Sequence, residues 1–224
     1  MKRSAPPDSS GTAVEEVIRD DEGRVRARRF IRQGRPDGEY TAFYGNGQPL
    51  IRLTFVDGVR EGEALSWHPD GRPRERGFFR GDKLEGEYSS WYENGQLRER
   101  EFYVDGLLEG SYRSWYRNGQ PSDEENFRAG RFDGGYRAWY RSGQLKEQGA
   151  FRDDRRDGPY VSYDRSGRVR EKALYDRGRL VGPFVTFPAP QAGAEGEASD
   201  TDDDSPRRDV DNLLKDLKHF KEES

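Results

Sequence analysis

The chain has no cysteine, only two histidines and one methionine. Without cysteine it can form no disulfide, no thiolate metal site and no cysteine nucleophile. His68 and His219 lie too far apart to suggest metal-ligand spacing, so neither a metal nor any other cofactor is expected. Leu, Ile and Val are sparse, and 31% of residues are hydrophobic against 37% charged. By composition alone such a chain reads as disordered. No apolar run is long enough to cross a bilayer, and residues 1–13 are polar and carry no signal-like segment. The location expected from these absences is the cytoplasm.

What the chain does have is a period. A glycine recurs every 24 residues at Gly38, Gly62, Gly86, Gly110, Gly134, Gly158 and Gly182, with no insertion or deletion. Around it sits one phrase, as in Gly86-Glu-Tyr-Ser-Ser-Trp-Tyr-Glu-Asn-Gly-Gln96 and Gly110-Ser-Tyr-Arg-Ser-Trp-Tyr-Arg-Asn-Gly-Gln120. Periods of this length mark arrays of one supersecondary unit, in which each unit is stabilised by its neighbours and no single globular core is needed. The 28 aromatic residues supply that nearest-neighbour burial.

Each period reads as a β-hairpin. An aromatic strand such as 87–93 meets Asn94-Gly95, and 97–103 returns. Asn-Gly and Asp-Gly tolerate the positive φ of a type I′ turn, which is the turn expected here. A second turn, such as Val104-Asp105-Gly106, leads back to the next glycine. Counting the glycine as position one, the third position is aromatic in all repeats but one, the fifth is always small, and the sixth is Phe43, Trp67, Trp91, Trp115, Trp139, Tyr163 and Phe187. Positions three and six differ in parity and face opposite sides of a regular strand. The expectation is a sheet wetted on both sides and stiffened by aromatic ladders, each cross-strand pair adding roughly 0.2–1 kcal/mol. About 14 strands at about 4.8 Å spacing would extend roughly 65 Å.

The pattern Gly-x-Tyr-x-x-Trp-Tyr-x-Asn-Gly-Gln, closed by an aromatic and an Asp-Gly turn, resembles the MORN repeat, and more closely the bacterial variant found in YwqK-type antitoxin proteins. The resemblance covers residues 38–187. It implies an all-β, elongated, single-layer antiparallel β-meander of 24-residue hairpins, serving protein interaction or scaffolding. The antitoxin name implies a toxin protein as partner, and lipid binding is proposed for some eukaryotic members. Departures from the pattern are Ala64, His68 and Pro69 in the second repeat, Pro121-Ser-Asp-Glu-Glu125 in the fourth, Tyr163-Asp164 in the sixth, and a stop at Phe187-Pro188. Gly23 and Gly34 are in register with Gly47 and Gly58, so residues 14–37 read as a degenerate capping repeat after a disordered stretch 1–13.

Residues 38–187 hold 25 basic and 25 acidic side chains, whereas 188–224 hold 5 basic and 11 acidic. A neutral array has no basic stripe for nucleic acid and is a poor ligand for anionic lipid. Residues 188–205 form a flexible acidic linker. Ser205-Pro206 then opens an amphipathic helix over 206–222, with Val210, Leu213, Leu214, Leu217 and Phe220 on one stripe. A lone helix of this length is marginal in water, so the stripe implies docking on this chain, on a partner's groove or on another copy.

Three classes of function stay open. The leading one is a non-enzymatic protein-binding scaffold, in its specific form an antitoxin-like neutraliser of a toxin. The second is a membrane- or lipid-associated scaffold. An enzyme is the remote third, because no nucleophile and base can be assembled and acidic pairs such as Asp153-Asp154 read as surface charge. The row Trp67, Trp91, Trp115, Trp139 is either a structural ladder or a ladder that also binds. Asp123, Glu124 and Glu125 are the candidate specificity element, and Leu213, Leu214, Leu217 and Phe220 the candidate docking residues of the tail.

Overall fold

The computed structural model describes residues 11–188, which form two compact units divided between Gly95 and Gln96. Both are all-β antiparallel meanders of hairpins, and no helix occurs among the described residues. The tail with Leu213, Leu214, Leu217 and Phe220 lies outside them.

The first unit runs β1 (Val14–Arg19), β2 (Val25–Arg32), β3 (Arg35–Phe43), β4 (Pro49–Val56), β5 (Val59–Arg60), β6 (Gly62–Trp67), β7 (Pro73–Arg80), β8 (Lys83–Leu84) and β9 (Gly86–Trp91). Its opening hairpin pairs Val14 with Ile31 and Ile18 with Ala27. The second unit runs β10 (Leu97–Val104), β11 (Leu107–Leu108), β12 (Gly110–Trp115), β13 (Pro121–Arg128), β14 (Arg131–Phe132), β15 (Gly134–Trp139), β16 (Leu145–Arg152), β17 (Arg155–Arg156), β18 (Gly158–Tyr163), β19 (Val169–Asp176), β20 (Arg179–Leu180) and β21 (Val185–Thr186).

The two turns of each repeat exchange the roles expected of them. At Asn46-Gly47 only the glycine is left-handed, with φ of 85°, and its amide donates to the Tyr44 carbonyl at 2.9 Å. That is a type I turn closed by one left-handed glycine, not the type I′ turn expected. The type I′ geometry sits at the other turn, where Asp57 and Gly58 have φ of 49° and 86° and join β4 to the two-residue β5. A register shift explains the difference. Ser114 pairs with Asp123 but Trp115 with Pro121, so a bulge after the fifth position lengthens the first turn.

The period glycine marks a second bulge. Arg60 pairs with Phe55 but Leu65 with Arg52, so the chain between them gains two residues on β4. Gly62, with φ of 91°, occupies that step, and a left-handed conformation there excludes a side chain at little cost only for glycine.

The two faces of each unit are unequal, which corrects the expectation of water on both sides. One face carries the third-position tyrosines, and Tyr40, Tyr88, Tyr112, Tyr136 and Tyr160 are all buried. It closes without a second layer because its rings lie along the sheet. Tyr136 covers Gly149, where an added Cβ would come within 2.7 Å of its Cε1. In the second unit the rings of Tyr112, Phe127, Phe132, Phe151 and Tyr136 follow one another at centroid distances of 6.4, 4.6, 5.2 and 5.0 Å. The other face holds the half-buried tryptophans and leaves Phe78, Phe102 and Leu174 exposed.

Candidate functional site

On the tyrosine face a polar column crosses the strands. The fifth-position residue and a carboxylate of the returning strand alternate by direct pairing: Ser66 with Glu75 and Glu75 with Ser90, then Glu99 with Ser114, Ser114 with Asp123, Asp123 with Ala138 and Glu147 with Ser162. The Ser66 hydroxyl donates to Glu75 at 3.1 Å and that of Ser114 to Asp123 at 3.0 Å. The tyrosine of the following repeat donates as well, Tyr112 to Glu99 at 3.4 Å and Tyr160 to Glu147 at 3.0 Å. Glu75, Glu99 and Glu101 are almost fully buried. Such burial is costly for a carboxylate unless donors surround it. Arg74 and Arg98 flank Glu75 and Glu99, and the Tyr103 hydroxyl donates to Glu101.

Apart from Asp123, this column is absent from the site residues expected from the sequence. The signal was present: Glu75, Glu99, Asp123, Glu147 and Glu171 recur with the glycine's own period, always opposite the small fifth residue. The seventh position is a second omission. Tyr44, Tyr116 and Tyr140 donate from their hydroxyls to the carbonyls of Trp67, Trp139 and Tyr163 at 2.7, 2.7 and 2.8 Å. His68 replaces the tyrosine in kind, its Nε2 3.0 Å from the Trp91 carbonyl. The turn asparagines do the same, Asn46 and Asn118 donating to Pro69 and Arg141 carbonyls at 2.9 Å. Successive repeats are thus joined by polar side chains reaching about one period along the chain.

The acidic run of the fourth repeat is divided between the two faces. Asp123 belongs to the tyrosine-face column, where Ser114 and Ser122 donate to the same oxygen at 3.0 and 2.6 Å. Glu125 returns to that face opposite Tyr112. Glu124 alone points to the tryptophan face, where its carboxylate is shared by Arg113 at 2.9 Å and Arg137 at 3.3 Å.

Trp67, Trp91, Trp115 and Trp139 occupy the tryptophan face at the asparagine-turn end, each half-buried. The Arg52 guanidinium lies 5.7 Å from the Trp67 ring centroid, within cation–π range. Further along the strands the second unit has a groove of about 400 Å³ floored by Gly135 and Ala150 and bordered by Glu124, Arg137, Pro159 and Val161. The equivalent pair in the first unit is Glu63 and Phe78, so the groove exists because two side chains have shrunk.

Three segments, residues 36–57, 84–105 and 108–129, match the MORN repeat variant. No curated protein matches the chain. Among solved structures, a protein of unknown function from Bacteroides fragilis is similar at 13% identity over 74% of this chain and 94% of its own, with a TM-score of 0.13.

Proposed function

We propose that the chain is a non-enzymatic scaffold that binds a protein partner through the tryptophan face of its repeats. MORN repeats are often involved in protein or membrane binding. The observation that supports this face is the inequality of the two. The tyrosine face pairs most of its hydroxyls with its carboxylates, whereas the opposite face, which also carries the tryptophans and Arg52, leaves Phe78 at 41%, Phe102 at 47% and Leu174 at 46% exposure. Exposed aromatics amid arginine are the side chains that dominate protein interfaces. In the sharper form of this reading the partner is a toxin protein, neutralised in the cytoplasm by a tight stoichiometric complex.

The test is quantitative capture from the source organism's lysate by full-length chain, by its Phe102→Ser and Arg137→Glu variants, and by Leu213→Asp in the tail. A stoichiometric partner lost with the first two and kept by the third supports the face; loss only with the tail variant refutes it. Membrane binding is the second reading the repeats permit, and the equal count of basic and acidic residues over 38–187 weighs against it. Sedimentation with anionic liposomes at low and physiological salt separates the two.

A further inference from the structure

The groove on the tryptophan face of the second unit is built to take something both apolar and acidic. Its floor is Gly135 and Ala150, and Pro159 and Val161 form one apolar border. Along the same row the exposed side chains of Phe102 on β10 and Leu174 on β19 stand beyond either end. Its other border is charged, with Arg113 and Arg137 sharing the single carboxylate of Glu124. Two guanidinium groups on one carboxylate leave a net positive charge beside an apolar floor.

We propose that this groove is the docking site of the chain's own C-terminal segment 209–220. Leu213 and Leu214 would cover Gly135 and Ala150, and the carboxylates of Asp209 and Asp211 would complete the charge of Arg137 and Arg113. Complementary composition is the first argument, since residues 188–224 carry 11 acidic side chains against 5 basic and place their apolar stripe directly after Asp209-Val-Asp211. Reach is the second. From β21 to β15, by way of β19, β18 and β16, are four strand spacings, about 19 Å. For residues 188–205, whose composition reads as a flexible linker, the expected root-mean-square span is about 23 Å. When a linker's mean length matches the span, the tethered segment meets its site at an effective concentration in the millimolar range, so even a weak groove is filled in cis. The inference goes beyond the partner-binding reading, and its test involves no partner.

The absence of native cysteine makes the test clean. Full-length chain carrying Ala150→Cys and Leu214→Cys is oxidised mildly at low protein concentration. The comparison is Arg165→Cys with Leu214→Cys, because Arg165 is exposed in the β18–β19 turn and nearer the tail in sequence. The proposal expects an intramolecular disulfide to form about tenfold faster in the Ala150 pair, because docking would hold residue 214 against the groove floor. Adding Gly135→Arg, whose Cβ would meet nothing nearer than the Gly149 carbonyl at 3.9 Å, fills the groove and should abolish that excess. Equal rates in the two pairs, an excess that survives Gly135→Arg, or a disulfide-linked dimer (the signature of a second copy as occupant) would each overturn it.

Discussion

The Tyr136 hydroxyl is buried without a hydrogen-bond partner, and the residue thirteen positions before it is Asp123, where the equivalent tyrosines meet glutamate. Tyr112 and Tyr160 reach Glu99 and Glu147 at that spacing. Aspartate is one methylene shorter, and its Oδ2 is already taken by Ser114 and Ser122.

Restoring the methylene should therefore stabilise the protein. Asp123→Glu is expected to raise unfolding stability by about 1 kcal/mol, the net worth of a typical buried hydrogen bond. Urea unfolding of Asp123→Glu in the wild-type and Tyr136→Phe backgrounds checks the cause, because the gain should vanish when the hydroxyl is absent.

Gly149 lies beneath the Tyr136 ring, and a Cβ there would approach Cε1 to 2.7 Å; at Gly77 the nearest atoms, from Leu84 and Tyr88, would be 3.2 Å away. Gly149→Ala should destabilise by about 1–3 kcal/mol through overpacking, and Gly77→Ala by less. Equal urea midpoints for the two variants would contradict the ring-over-glycine account.

The seventh-position side chain acts through its polar tip. Tyr116→Phe removes the donor to the half-buried Trp139 carbonyl and should cost about 1 kcal/mol, the net worth of a typical hydrogen bond. Tyr116→His should recover part of that loss, since His68 occupies the same role one pair of repeats earlier. Amide exchange at residues 137–141 is the local readout.

Two groups set opposite pH limits. The Ser166 hydroxyl, together with the amides of Ser166 and Arg168, holds Asp164 at about 2, below its ordinary 3.8. Its stabilising effect is complete above pH 4 and fades as pH falls toward 2. Burial, and then the Glu147 charge, push Tyr160 up to about 12 from 10.0. Here the contribution is complete below pH 10 and is lost as pH rises toward 12. Carboxyl carbon shifts should titrate Asp164 near 2, moving upward in Ser166→Ala, and phenolate absorbance should show Glu147→Gln lowering the Tyr160 midpoint.

The hairpin repeat was legible without coordinates because it depends on local rules. A glycine each 24 residues, an Asn-Gly turn and a small fifth residue restate one backbone path in every repeat, and backbone conformation is decided within a few residues. The turn type was misjudged for the same reason: Asn46-Gly47 has the composition of a type I′ turn, but the bulge between Ala42 and Phe43 sets its length. Which charges are buried could not be read locally. Glu99 and Arg100 look alike along the strand, yet Glu99 is buried and Arg100 exposed, because a strand alternates faces and only cross-strand register puts Ser114 opposite the carboxylate. Register likewise divided Asp123 from Glu124, and it set Gly135 against Ala150 to open the groove. Sequence determined the unit and its period; tertiary pairing decided which of its side chains close on one another and which stay exposed, since burial and hydrogen bonding depend on what lies on the next strand.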